Sequence, residues 1–86
     1  MTRPGYRMRV RARGHAVRDL TGRQGWDAHI EQEPNEDGWS VLSVSVETRW
    51  TAIGRVLQFG ADIELLEPDD LREQVAGIIG RMSSIY

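Results

Sequence analysis

Between Tyr6 and Ala12, arginine alternates without exception with apolar or aromatic side chains. Successive side chains of a β-strand point to opposite faces, so this period of two predicts a half-buried strand. The apolar side of that strand would face a core, and Arg7, Arg9 and Arg11 would line the opposite side. Two interpretations of the arginine row follow: it binds an anion, or it is neutralised within its own sheet.

Strand-like and helix-like patterns alternate along the rest of the chain. Alternation recurs in "WDAHIEQE", "WSVLSVSVE" and "ADIELLEP", whereas apolar side chains three and four residues apart predict helices after Gly14, Thr48 and Pro68. Thr48 suits a helix N-cap, Gly60 suits a left-handed C-terminal cap, and the acidic residues after Pro68 suit the positive end of a helix dipole. The predicted order is strand, helix, strand, strand, helix, strand and a final helix.

This order predicts an α+β fold of the ferredoxin-like type. Two split strand-helix-strand units would form one βαββαβ antiparallel sheet with helices on one face, plus an extra C-terminal helix. The first and third strands would be central and the other two would be edges. A chain of 86 residues with 40% apolar residues has room for one small core. We therefore expect a single domain at 6–86, preceded at 1–5 by a disordered lead or by the boundary of a shortened chain.

The periodicities also predict which side chains pack. Trp26, Trp50 and Phe59 are interpreted as core or interface aromatics. The inward residues expected from the second strand, the second helix and the last helix are Trp26, Ala28, Ile30, Trp50, Ile53, Val56, Leu57, Leu71, Val75, Ile78, Ile79, Met82 and Ile85 or Tyr86.

The predicted strand order places acidic residues beside the arginine row. Asp62, Glu64 and Leu66 of the fourth strand would neighbour it, with Asp27, His29 and Glu31 lying beyond the serines of the third strand. Neutralisation within the sheet is therefore the first interpretation. An anion-binding face, extended by Arg13 and Arg49, is the second. An RNA-recognition module is disfavoured because the central strands would display arginine and serine, with Trp39 as the only candidate aromatic.

Composition excludes several kinds of chemistry. The chain has no cysteine, which removes disulfides and thiolate nucleophiles, and its formal net charge of -2 gives no general attraction to polyanions. His15 and His29 lack a third ligand at metal spacing, so we expect neither a metal nor a cofactor, and no enzyme activity. No apolar run is long enough to span a membrane and no signal peptide precedes the domain, which favours a cytoplasmic protein.

The second half, "RWTAIGRVLQFGADIELLEPDDLREQVAGIIGRMSSIY", resembles the C-terminal extension, called WCX, of WYL-domain bacterial transcriptional regulators. "FGADIELLEP", "DDLREQVAGII" and the terminal "RMSSIY" carry the resemblance, and the first half fits more loosely. Several residues match the recurring sequence pattern of the family, and we expect each of them to pack or to cap a helix. They are Trp50, Leu57, Phe59, Gly60, Pro68, Leu71, Met82 and Tyr86.

The resemblance implies a regulatory role. Family members usually place a DNA-binding winged helix-turn-helix and a WYL domain before this extension, and neither is expected within these residues. Direct operator binding is therefore not assigned to them. In the family, the WYL and extension domains act in effector sensing and dimerisation, and some members respond to single-stranded nucleic acid. The expected partners are accordingly a WYL domain of the same regulator, a second copy, and a single-stranded nucleic acid or nucleotide effector.

The site residues expected for an anionic effector are the exposed arginines Arg7, Arg9, Arg11, Arg13 and Arg49. An alternative function is a stand-alone sensor of small molecules that resembles ACT-type regulatory domains. Such domains favour a glycine-bearing loop after the first strand, where this chain offers only Gly14.

Overall fold

Four antiparallel strands and three helices make up the fold, in a computed structural model that describes residues 5–22 and 27–86. This confirms the predicted α+β class. The elements in chain order are β1 (Tyr6–Arg13), α1 (His15–Gly22), β2 (Asp27–Gln32), β3 (Trp39–Val46), α2 (Arg49–Phe59), a 3-10 turn (Gly60–Asp62), β4 (Ile63–Glu67) and α3 (Asp69–Ile85).

The sheet has the strand order β2-β3-β1-β4, so β1 and β3 lie in the centre. In the pairing of β1 with β4, Arg11 lies opposite Glu64. A bulge then shifts the register, so that Arg9 lies opposite Glu67 and not opposite Leu66. The bulge replaces an expected apolar neighbour of the arginine row with a carboxylate.

The core occupies one side of the sheet. Along β1 and β3 every second residue is buried, and all three helices pack on that same side. The buried apolar residues are Met8, Val10, Ala12, Ala16, Leu20, Leu42, Val44, Val46, Ala52, Ile53, Val56, Phe59, Ile63, Leu65, Leu71 and Val75. The opposite side of the sheet carries no helix among the described residues, and we call it the open face.

Local sequence signals set the ends of α2 and α3. The hydroxyl of Thr48 accepts a hydrogen bond from the backbone N–H of Thr51 at 3.1 Å, which confirms the predicted N-cap. Gly60 has φ 58° and ψ −121°. The positive φ is the one expected of a C-terminal glycine, although its ψ is not left-handed helical and leads into the 3-10 turn. Pro68 precedes α3, whose first turn contains Asp69 and Asp70.

Two side chains that were predicted to pack inward from β2 and α2 are exposed. Ile30 is 40% exposed because β2 is an edge strand, along which only Ala28 is half-buried. Trp50 is 69% exposed. Trp50 therefore does not lie in the core, because the buried residues of α2, Ala52, Ile53, Val56 and Phe59, face the sheet and Trp50 lies outside that stripe. The interface alternative for Trp50 stays a prediction. Trp26, the third residue of this group, lies outside the described residues.

Candidate functional site

Three of the four β1 arginines on the open face form ion pairs with carboxylates on β2, on β4 and in the 3-10 turn before β4. Nε of Arg11 donates to Oε1 of Glu64 at 2.5 Å, and Nε of Arg13 donates to Oδ1 of Asp62 at 3.2 Å. The first pair follows from the antiparallel register, which places Arg11 opposite Glu64. Asp62 lies in the 3-10 turn directly before β4 and not in the fourth strand, where the sequence had placed it. Asp62 and Glu64 were the neighbours expected from the sequence.

Arg9 lies between two edge strands and contacts an acid from each. Its Nε donates to Oε1 of Glu31 at 2.7 Å, and its Nη1 lies 3.5 Å from Oε2 of Glu67. The hydrogen bond to Glu31, helped by the charge of that carboxylate, raises the pKa of the Arg9 guanidinium above its ordinary value. Arg9 is therefore neutralised from both sides of β1.

Trp39 joins the same surface. It begins β3 opposite Arg13, and its ring lies 4.5 Å from the guanidinium carbon of Arg11 and 4.7 Å from that of Arg13. Cations are attracted to the electron-rich face of an indole, and here the two cations also have carboxylate partners. Trp39, the single aromatic that the described residues place on this face, thus contacts the chain's own arginines.

Arg7 differs from the rest of the row. β4 ends at Glu67, opposite Arg9, and the β3 residue opposite Arg7 is Ser45. No carboxylate in the described ranges lies within ion-pair distance of Arg7. It lines a shallow, open pocket of about 300 Å³ together with Arg9, Glu31 and Glu67.

Arg49 lies on the other side of the sheet, among the helices. From the start of α2, its Nε donates to Gln74 at 2.6 Å, and its Nη1 donates to the hydroxyl of Tyr6 at 3.0 Å and to Asp70 at 2.9 Å. The hydrogen bond from Arg49 lowers the pKa of the Asp70 carboxyl. Arg49 thus joins β1, α2 and α3, and it does not extend the arginine row.

The apolar stripe of α3 is covered only along its first half. Leu71 and Val75 are buried and Ile78 is half-buried, whereas every residue after it is exposed. Met82 is 42% exposed and Tyr86 is 98% exposed, so neither packs in the core of the described chain, and their expected packing role stays a prediction. We call residues 79–86 the α3 overhang. The stripe has the same helical period throughout, and its second half has no sheet beneath it.

An open groove of about 490 Å³ adjoins the α3 overhang. It runs between α3, the end of α2 and β4. Its apolar lining includes Leu57, Ile63, Leu65, Val75, Ile79 and Met82, and Glu64 and Arg72 are its charged residues.

A sequence profile comparison decides the family. The profile of the WCX domain matches residues 4–83, which is nearly the whole chain. The chain belongs to the WCX domain family. No curated protein matches it in a sequence search.

The pattern residues of this WCX domain divide into two groups in the structure. Phe59 and Leu71 are buried, Leu57 is half-buried and Gly60 ends α2, as expected. Trp50, Met82 and Tyr86 are exposed. The sequence pattern by itself could not separate these groups, because a helical stripe looks the same whether or not another element covers it.

Other chemistry is sparse among the described residues of this WCX domain. His15 and His29 are exposed, and Nε2 of His29 lies 3.4 Å from Asp27. Within residues 5–22 and 27–86, no group of three histidine, aspartate or glutamate side chains could hold a metal ion. No helix in those ranges is long and apolar enough to cross a membrane.

Proposed function

We propose that this WCX domain is the C-terminal regulatory and interaction domain of a WYL-type bacterial transcriptional regulator. The proposal includes a ferredoxin-like topology, a place in the cytoplasm and contact with the regulator's WYL domain. It assigns the domain no reaction and no operator contact of its own. The family match and the central position of β1 and β3 support it.

The α3 overhang is the observation that carries the interaction part of the proposal. Ile79, Met82 and Ile85 are large, apolar and exposed on one helix. Clustered exposed apolar side chains mark contact sites on soluble proteins, since exposure of such a patch to water is unfavourable.

The proposed occupant of the α3 overhang is a second copy of this chain. A twofold dimer needs one patch that fits itself, and two antiparallel helices with the same apolar stripe meet this condition. Charge permits the contact, because Arg81 is the only charged side chain in residues 79–86. The C-terminal end of α3 has no basic residue in its last turn, so the negative end of the helix dipole is not neutralised there. In an antiparallel pair, this end would approach the half of the partner's α3 that contains Arg72.

The regulatory mechanism follows from such a contact. A ligand that binds one subunit arrangement more tightly than another shifts the population toward it, and DNA affinity elsewhere in the regulator changes with it. For the anionic effector expected from the sequence, the described part of the open face offers one arginine without a carboxylate partner, Arg7. Arg9, Arg11 and Arg13 already contact carboxylates.

Sedimentation equilibrium of the chain tests the association. We expect a reversible dimer, and Ile85→Glu should raise its dissociation constant at least about tenfold, because a carboxylate would be buried in the apolar seam. Ile85 is 76% exposed in the monomer, so this variant should fold.

Ser84→Glu is the matched control, since it adds the same charge one residue away, at about 100° around the helix. It should leave the dissociation constant nearly unchanged. A chain that is monomeric at millimolar concentration, or equal effects of both variants, would rule out association through the α3 overhang.

A further inference from the structure

The groove between α3, β4 and the end of α2 has the properties of a small-molecule site. Its volume of about 490 Å³ falls within the roughly 300–1,000 Å³ of typical ligand pockets. Its walls are mainly aliphatic, and Met82 adds a flexible thioether that adapts to different apolar shapes. The groove can therefore take an apolar chain.

The charges of the groove favour an anion. Arg72 lines it, and no carboxylate in the described part of the chain lies within ion-pair distance of its guanidinium. The other charged residue, Glu64, is held by Arg11 on the open face at 2.5 Å. The groove thus presents one unpartnered cation beside an apolar surface.

We propose that this groove binds an anionic amphiphile of the carboxylic acid type, with the acyl chain on the aliphatic wall and the carboxylate on Arg72. A guanidinium binds a carboxylate through two parallel hydrogen bonds, which fixes the head group, while burial of methylenes supplies most of the affinity. To call this ligand the effector rests on the proposed regulatory function. The binding site itself does not.

The groove is a better ligand site than the arginine row. The pocket beside Arg7 is lined by Glu31 and Glu67, so an anion there would meet carboxylates, and it would bury less apolar surface than in the groove. In the groove, the anionic head group would meet Arg72, and the acyl chain would leave water.

Titration with straight-chain carboxylates below their micelle concentrations tests the site, with backbone amide NMR shifts of Leu57 and Ile79 as the readout. From hexanoate to decanoate, affinity should rise about fourfold for each added methylene until the groove is full. Decylammonium should bind at least about tenfold more weakly than decanoate, because its cation meets Arg72.

Two variants distinguish a specific contact between the carboxylate and Arg72 from nonspecific hydrophobic binding. Arg72→Gln should weaken decanoate binding about tenfold, and Ala76→Glu should abolish it by placing a carboxylate in the groove beside Arg72. Both residues are exposed, so both variants should fold. Arg18→Gln, which removes an exposed arginine of α1 outside the groove, is the matched control and should bind decanoate as the unchanged chain does.

Three results would overturn this proposal. They are equal affinity for decanoate and decylammonium, unchanged affinity in Arg72→Gln, and groove amides that shift with protein concentration but not with decanoate. The last would assign the groove to a subunit interface. Ile79 and Met82 belong both to the groove and to the α3 overhang, so the titration uses protein concentrations below the dissociation constant of the dimer. Ile85 does not line the groove, so Ile85→Glu should bind decanoate as the unchanged chain does, and this variant tests ligand binding separately from dimerisation.

Discussion

The open face of the sheet and the α3 overhang differ in whether their clustered side chains have partners within the chain. On the open face, Arg9, Arg11 and Arg13 form ion pairs with carboxylates on β2, on β4 and in the 3-10 turn before β4. In the overhang, Ile79 and Ile85 have no apolar partner in the described part of the chain that removes them from water. The arginine row is the more conspicuous feature of the sequence, but the apolar end of α3 is the surface whose side chains remain exposed to water. A cluster of like residues therefore indicates a binding surface only after its neighbours have been placed.

The largest expected effect contrasts the two halves of the α3 stripe. Leu71→Ala should lower the free energy of unfolding by about 2–5 kcal/mol, because it leaves a cavity at a fully buried position. Ile85→Ala should change the free energy of unfolding of the monomer by no more than about 0.5 kcal/mol. Urea unfolding at low protein concentration measures both values.

Urea unfolding of the unchanged chain and of Ile85→Ala at high protein concentration tests whether the α3 overhang pairs with a second copy. If the overhang pairs with a second copy, the stability of the unchanged chain should rise with protein concentration and that of Ile85→Ala should rise less. A large loss of monomer stability in Ile85→Ala would contradict the separation of α3 into a covered and an uncovered half.

An intermediate effect concerns the open face and single-stranded nucleic acid. If Arg7 alone can contact phosphate, the logarithm of the binding constant should fall against the logarithm of salt with a slope of about −0.7. Release of Arg9, Arg11 and Arg13 from their carboxylates would make all four β1 arginines available to phosphates and would give a slope of about −2.8. Fluorescence anisotropy with a labelled oligothymidylate measures the slope, and Arg7→Gln should remove it whereas Arg18→Gln should not.

A salt slope of about −2.8 would contradict the conclusion that the arginine row is neutralised within its own sheet. It would mean that phosphates displace Glu31, Glu64 and Asp62 from their arginines, so that the row neutralised in the unbound chain becomes available in the complex.

The smallest expected effect is a pH dependence at the ion pair between α2 and α3. Folding lowers the pKa of Asp70 below its ordinary value of 3.8, because Arg49 donates a hydrogen bond to the carboxylate. The resulting stabilisation is complete above the unfolded pKa and is lost as the pH falls through the lower folded value. Asp70→Asn should therefore be destabilising near about pH 6 and almost neutral near about pH 2.

Asp69→Asn controls for charge in the same helical turn, since Asp69 makes no ion pair within the described ranges. Urea unfolding at both pH values compares the two variants. An Asp70→Asn effect that is independent of pH would assign the contribution of Asp70 to packing rather than to its charge.

Much of the fold was predictable because its signals are local. The strict alternation in β1, the Thr48 cap and the glycine at residue 60 act over one to four residues, and each is found where the sequence indicated. The pairing of Arg11 with Glu64 was also within reach, since the order of elements favoured β1 and β4 as neighbours.

Two features of the candidate sites were not predictable from periodicity. The bulge that places Glu67 beside Arg9 depends on the register between strands that are distant in sequence. The position of Arg49 on the helix side, in contact with Tyr6 and Asp70, depends on how α2 and α3 pack together.

The sequence alone determined which side chains share a face, because a strand repeats every two residues and a helix every 3.6. It therefore placed the β1 arginines in one row and the α3 apolar residues in one stripe. Only the tertiary structure decided which of them are satisfied, because burial and charge pairing require a partner element at the right distance. The sheet supplies that partner to Arg9, Arg11 and Arg13, and it ends before it could cover Ile85.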